Sequence, residues 1–210
     1  YRVLETEGEK ISPYDSIYFD TGSLRMFRDH HNRRAKRQKV RTRSYVNSGL
    51  AFLEIKRKNN KGRTSKKRIG IPVAELLDFS ADAPACDYLS AKSWFTAGEL
   101  SPSVETAFSR ITLVNQAKTE RLTIDTRLQF NNLRTGLSAS LRDAVVIELK
   151  QDGRARSQMK HILLDHRIKP VRISKYCIAV TLTDPTARSG RFKMKVRAIE
   201  KTINHKINVI

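Results

Sequence analysis

Lys39-Val-Arg-Thr-Arg43 and, after the break Asn47-Ser-Gly49, Leu53-Glu-Ile-Lys-Arg-Lys58 decide the architecture. Both read with a period of two, and side chains two residues apart share one face of an extended strand. Lys39, Arg41 and Arg43 therefore point to one side, and Glu54, Lys56 and Lys58 oppose Leu53 and Ile55. The same alternation recurs with Lys66 and Arg68. It recurs again in Arg121, Thr123, Asp125 and Arg127 against Leu122 and Ile124, and in Glu148 and Lys150 against Val145, Ile147 and Leu149. One such strand describes an ordinary half-solvated sheet. Five whose polar face is mostly Arg and Lys describe a sheet that repels itself unless an anion lies against it, because solvated faces mix their signs. Closing the sheet into a barrel gathers the cations in a lumen and turns the apolar face outward, where helices cover it. A desolvated cation costs on the order of several kcal/mol, so such a lumen stays wet or takes up a polyanion. Arginine suits phosphate, because its planar guanidinium gives two parallel hydrogen bonds and stays charged.

Outward from these strands, Asp15–Asp20 reads as a strand closed by Thr21-Gly-Ser23, and a helix follows from Ser23 to His31 with Ser23 as its cap. Strands are expected over Gln38–Asn47, Leu50–Lys58 and Ser65–Val73, separated by hairpin residues. Between residues 72 and 104, Leu76, Leu77, Leu89, Trp94 and Phe95 recur at helical spacing between prolines, which predicts two or three short helices with Trp94 and Phe95 in the core. Strands return at Ser109–Gln116, Arg121–Phe130 and Ala144–Gln151, then helices at Gln158–His166 and Ser174–Leu182; Phe192–Ile210 fits either type. Helices within 72–104 and 156–182 are the expected cover of the outer face.

Lys and Arg number 41 against 21 acids, a formal charge of +20, which leaves nucleic acid, anionic lipid and polyphosphate as partners. A hydrophobic content of 39% over 210 residues suits a folded domain. Cys86 and Cys177, far apart, read as two unreactive thiols in a reducing, cytoplasmic compartment. The longest apolar runs are too short to cross a bilayer and no signal peptide is visible, although a membrane partner stays open. His30 and His31 are adjacent, without the helical spacing of a metal pair, and read as surface histidines. Asp125 reads as a metal ligand or as a salt bridge holding Arg121 or Arg127. No Gly-rich phosphate loop and no Ser-His-Asp or Cys-His arrangement is evident.

Tyr18-Phe-Asp-Thr21, Asp29-His-His-Asn32, Lys39-Val-Arg-Thr-Arg43, Leu53-Glu-Ile-Lys56 and Ser174-Lys-Tyr-Cys177 together resemble the VTC (vacuolar transporter chaperone) domain of the triphosphate tunnel metalloenzyme (CYTH-like) superfamily. The resemblance implies an α+β fold, an antiparallel β-barrel tunnel with helices packed outside, as one domain over residues 1–210. It implies ATP or triphosphate and polyphosphate as ligands and Mn²⁺ or Mg²⁺ as cofactor. By motif, Arg41 and Arg43 resemble the family's paired phosphate-binding arginines, Lys56 the lysine of its Glu-x-Lys strand, and Lys66 the basic residue of the next strand, followed by Arg68. Arg110 and Arg121 resemble the second-half arginines, Glu148 the metal-binding glutamate with Lys150 beside it, and Arg172 and Lys175 two basic residues near the tunnel mouth. The implied catalytic set is Arg41, Arg43, Lys56, Arg110, Arg121 and Glu148. The superfamily's first strand should precede Tyr18 and is not recognisable; Glu5-Thr-Glu-Gly-Glu-Lys10 imitates its signature but reads as a solvated turn, so the strand is expected either to lie upstream of Tyr1 or to be absent.

The expected chemistry is polyphosphate synthesis from ATP. The alternatives are a tripolyphosphate or polyphosphate hydrolase, a non-catalytic polyphosphate-binding module, and a basic nucleic-acid-binding protein. Specific nucleic-acid binding is disfavoured, because alternation from Lys39 onward puts half of the basic run His30–Arg43 in a strand and leaves Arg33–Arg37 as a loop at a tunnel entrance.

Overall fold

The computed structural model describes residues 1–153 and 156–210. Among the described residues nine antiparallel strands form one sheet: β1 (Arg2–Val3), β2 (Ile11–Asp20), β3 (Arg37–Tyr45), β4 (Leu50–Lys58), β5 (Thr64–Ile71), β6 (Ser101–Val114), β7 (Glu120–Asn132), β8 (Ser138–Leu141) and β9 (Val146–Gln151). The order is β5-β4-β3-β2-β6-β7-β8, with β1 added to β6 and β9 to β7. Short turns explain the hairpins. Gly49 (φ 62°) closes β3–β4 and Gly62 (φ 78°) closes β4–β5, left-handed positions that cost glycine least. Residues 4–10 form an exposed turn, bridged between Thr6 and Glu9.

The sheet is open rather than a closed barrel: among the described residues no ladder joins β5 to β8 or β9. β8 and β9 share the far edge of β7, pairing with residues 128–131 and 120–125, on either side of Arg127, whose φ of 54° interrupts the strand. Neither short strand reaches β5. The sheet nevertheless curls on its polar face, where Lys56 on β4 feels the charges of Glu148 and Lys150 on β9.

Register sets which side chains share that face. One cross-strand row runs Arg68, Glu54, Arg41, Tyr18, Val104, Asn132; the next runs Phe52, Arg43, Ser16, Thr106, Phe130. The alternate residues Ile17, Phe19, Val40, Leu53 and Ile55 form a core on the other face with Phe79 and with Ala85 and Leu89 of α2 (Ala83–Lys92). Contrary to expectation, helices lie on both faces. α4 (Lys175–Thr183) packs Tyr176, Cys177, Ile178, Ala179 and Val180 against Tyr18, Val104, Phe108 and Phe130, on the face that also carries the arginines. The reason is that residues 176–180 of α4 are all buried, so no polar stripe restricts it to the outside. Each large apolar side chain buried there stabilises by about 1.5–3 kcal/mol, and Ile178→Ala would cost about 2–5 kcal/mol. α1 (Arg25–His31) contributes Phe27 to this core, and α5 (Gly190–Ile203) contributes Phe192 and Val196, which settles the ambiguous C-terminal segment as largely helix. α3 (Gln158–Asp165) buries no residue.

Four further expectations are corrected. Ser101–Val104 begins β6 instead of ending a helix; Pro102 is tolerated opposite Phe19, where the β2–β6 register shifts. Ser23 does not cap α1. The Asp20 carboxylate accepts from Met26 N (2.8 Å) and Phe27 N (2.9 Å), and Thr21 Oγ1 accepts from Arg25 N (3.1 Å). Trp94 is 43% exposed, with the Arg57 guanidinium 4.9 Å over its ring, while Phe95 does pack against the core. His30 is half-buried rather than a surface residue, and its Nε2 is buried with no hydrogen-bond partner among the described residues.

Candidate functional site

Arg41 holds the centre of the polar face. Its Nε and Nη2 donate to Glu54 Oε2 at 2.8 and 2.5 Å, and Nη1 donates to the Tyr18 hydroxyl at 3.0 Å. Lys66 pairs with the other carboxylate oxygen, Glu54 Oε1. Burial alone would push the Glu54 carboxyl up, but Arg41, Lys66 and Arg43 hold it down at about 2. Arg41 itself, though buried, is held above its ordinary value by Tyr18 and Glu54.

Arg43 is different. Its Nε donates to Ser16 Oγ at 2.8 Å and its guanidinium lies 5.2 Å over Tyr14 and 5.7 Å over Phe108, but among the described residues no carboxylate pairs with it. Burial, together with the charge of Arg41, brings its pKa down to about 10. The Tyr18 phenol shows the same field. Burial raises it, yet Arg41, Lys39, Arg43 and Lys175 outweigh burial and bring it to about 8.

Asp125 organises the second half. Arg110 grips it bidentately, Nε to Oδ1 at 2.6 Å and Nη2 to Oδ2 at 2.8 Å, and Lys175 from the start of α4 pairs with Oδ2. Lys175 also lies 4.2 Å over the Phe108 ring. Burial disfavours the Asp125 anion, but these two cations keep its carboxyl below the usual range. Burial keeps the Lys175 ammonium below its usual range despite Asp125. Lys39 Nζ donates to Ser174 Oγ at 2.7 Å and ties β3 to the helix cap.

Of the residues expected from sequence, Arg41, Arg43, Arg110 and Lys175 converge within this buried cluster, joined at its edge by Lys66. Lys56 is more exposed, flanked across the strands by Lys39 and Lys66, and burial followed by Lys39 lowers its pKa. Arg68 stacks 4.3 Å over Phe52 and reaches the Tyr45 hydroxyl at 3.5 Å. Arg121 and Lys150 are cross-strand partners at the exposed end of β7 and β9, apart from the cluster. Arg172 is exposed in the connection before α4, where its carbonyl accepts from Lys195. Asp125 serves neither Arg121 nor Arg127, because the bulge in β7 takes Arg127 out of the alternation. Tyr18, Lys39 and Glu54 belong to the site but were outside the expected set. Tyr18 figured in the sequence only within the expected strand Asp15–Asp20 and the motif Tyr18-Phe-Asp-Thr21, whereas the alternation already placed Lys39 and Glu54 on this face.

For a divalent ion the donors are sparse: among the described residues no three His, Cys, Asp or Glu side chains gather. Glu54 and Asp125 are committed to cations. Glu148 is half-exposed, its Lys150 contact is a loose 3.6 Å, and the hydroxyl of Thr123, its cross-strand neighbour, is buried with no hydrogen-bond partner among the described residues. That suits an ion held by one carboxylate, with water and ligand phosphates completing its shell, as Mg²⁺ is commonly held.

The strands thus form a curled antiparallel sheet with cations gathered on its inner face. The chain belongs to the VTC domain family, whose model matches residues 1–183. Among solved structures it is similar to a candidate adenylate cyclase, bh2851 from Bacillus halodurans, at 16% identity and a TM-score of 0.52, covering 80% of this chain and 81% of that one. It is also similar to HpAC1 from Hippeastrum, a candidate adenylyl cyclase with a dominant triphosphatase activity, at 12% identity and a TM-score of 0.49, covering 82% and 83%. No curated protein matches by sequence.

Proposed function

We propose that the chain is a polyphosphate polymerase domain that binds ATP and the growing phosphate chain along this face and transfers the terminal phosphoryl group. The observation that carries the reading is Arg43, a buried guanidinium with no carboxylate partner among the described residues, beside a phenol acidified by four cations. An unpaired buried cation is costly, and a bound polyanion would supply its missing partner. Membership of the VTC family favours phosphoryl transfer to phosphate over transfer to water.

The residues divide the work. Arg43 has four N–H groups left after its bond to Ser16, Arg110 has three after Asp125, and Arg41 has two after Glu54 and Tyr18. Those donors would hold non-bridging oxygens, and the carboxylates behind Arg41 and Arg110 fix the guanidinium planes in advance. Phosphoryl transfer chiefly needs such positioning and charge neutralisation. As a terminal oxygen of the acceptor chain bonds to the γ-phosphorus, the bond to the β–γ bridging oxygen breaks and ADP leaves with that electron pair. Lys56, Lys66 and Lys175 would neutralise charge around the chain. Glu148 would hold Mn²⁺ or Mg²⁺, which supplies charge neutralisation on phosphate oxygens when bound. The cytoplasm, where ATP is abundant, is the compartment this reading implies.

Purified chain incubated with ATP and Mn²⁺ is expected to yield ADP and phosphate chains that lengthen with time on a gel. Release of free phosphate alone would reassign it as a hydrolase. Tight tripolyphosphate binding without turnover would make it a binding module.

A further inference from the structure

A second group of cations lies outside the cluster described above and, unlike most of that cluster, makes no ion pair with a carboxylate among the described residues. The C-terminus of α1, the connection before α4 and the N-terminal half of α5 meet there. Arg191 donates from its backbone N–H to His31 Nε2 and from Nη1 to the His31 carbonyl, each at 3.4 Å. Lys195 donates to the Arg172 carbonyl. Burial, then the charges of Arg33 and Arg172, hold the Lys195 ammonium below its usual pKa, although Cys177 acts the other way. Among the described residues Arg33, Arg37, Arg172, Arg191 and Lys195 all lack a carboxylate partner, in a chain whose other basic residues include several in ion pairs.

Two further observations make this more than a basic surface. Arg33 follows α1 in a left-handed conformation (φ 56°), with its N–H bonded to the His30 carbonyl at 3.2 Å. That is the position where glycine closes a helix without strain, yet a cation occupies it. The patch is also continuous with the inner cluster through Lys39. Lys39 contributes to the field that acidifies Tyr18, and with Arg37 and Lys56 it adds to burial in holding the His30 imidazole at about 2. Lys39 and Lys195 both act on Cys177, one turn into α4. A line of positive charge thus leads from Arg41 past Lys39 to Arg33, Arg172, Arg191 and Lys195.

We propose that these outer residues form an extended polyphosphate track, which holds the part of a long chain that emerges from the inner face. The proposal rests on the reading above that the inner face binds linked phosphates, and assigns α5, which lies beyond the family-matched residues 1–183, a part in selecting long chains over short ones. Repeated negative charge at close spacing is what a row of unpaired cations recognises, and each contact releases counter-ions, so affinity should fall steeply with salt. The extra contacts act as a tethered second site, raising the affinity of a long chain without altering that of a short one.

The test compares tripolyphosphate with long-chain polyphosphate on wild type and on the triple variant Arg33→Gly, Arg191→Ala, Lys195→Gln. Tripolyphosphate affinity should stay within about twofold, which also reports an intact fold. Long-chain affinity should fall at least about tenfold, and the slope of log affinity against log salt should become shallower by about two to three. Unchanged long-chain binding overturns the track, as does an equal loss for both ligands. If wild-type protein bound long chains and not tripolyphosphate, the track would stand and the inner-face reading would fail. If single-stranded RNA displaced long-chain polyphosphate at equal phosphate concentration and lost its own binding in the triple variant, the patch would be a nucleic-acid surface and the track would be wrong.

Discussion

Arg43 on β3 donates from Nε to Ser16 Oγ on β2 at 2.8 Å, and that hydroxyl is its only hydrogen-bond partner among the described residues. Neighbouring Arg41 has Glu54 and Arg110 has Asp125, so the sheet compensates two of its guanidinium groups and, among the described residues, leaves the third without a carboxylate.

Removing that third charge should therefore separate stability from binding. For Arg43→Met, the melting temperature of the free protein should hold or rise, since an apolar side chain of similar size avoids the desolvation cost. Tripolyphosphate affinity should drop about ten- to a hundredfold, the value of one or two charge-assisted hydrogen bonds. Calorimetry and thermal melts on the same preparations check both halves. A fall in stability with unchanged affinity would assign Arg43 to the core instead.

Glu54 predicts the acid limb of stability. Its carboxyl titrates at about 2 in the folded chain against an ordinary 4.5. A depressed folded value means that the stabilisation is fully present above about pH 4.5 and is lost as pH falls toward about 2. Glu54→Gln should lower stability at neutral pH by about 3–5 kcal/mol, because Arg41 and Lys66 lose their partner, and should flatten the acid limb. Urea melts across pH measure it; an acid limb of unchanged steepness would count against the assignment.

The alternation of Lys39 to Arg43, Leu53 to Lys58, Arg121 to Asp125 and Ile147 to Lys150 placed inner-face residues of four strands in advance, because a half-buried strand writes its facing directly into every second position, whereas Arg127 falls out of it at the β7 bulge. Depth was not legible: Arg110 and Arg121 both lie on that face, but only register and the position of α4 put Asp125 beside Arg110 and leave Arg121 exposed. The site of α4 itself was hidden because Tyr176–Val180 is apolar on every side. β6 was partly masked by Pro102, and the place of Tyr18 in the site was hidden because its hydroxyl's surroundings come from strands and a helix distant in sequence.

Tyr18 should make ligand affinity pH-dependent. Its phenol titrates at about 8, below the ordinary 10. In the free protein the phenolate is favoured by folding, so this contribution is full above about pH 10 and is lost as pH falls through about 8. Bound phosphates bring negative charge to the same place and favour the neutral phenol, so tripolyphosphate affinity should weaken as pH rises through about 8. Tyr18→Phe should remove that component, seen as the difference between the two pH profiles; superimposable profiles would sink the idea.

Glu148 separates metal use from phosphate binding. It is half-exposed and loosely paired, so Glu148→Ala should change stability by less than about 0.5 kcal/mol. Mn²⁺-dependent turnover should fall about 10²–10³-fold, while tripolyphosphate binding in chelator holds or tightens because one negative charge has left the face. Turnover unaffected by the substitution would place the ion elsewhere.

Calorimetric titration of tripolyphosphate into wild-type protein and into an Arg41→Ala/Arg43→Ala variant tests the inner face most directly. Saturable one-to-one binding that weakens with salt and is lost in the double variant is the predicted result. Binding of equal strength in both proteins, or no binding to wild type at all, would contradict it.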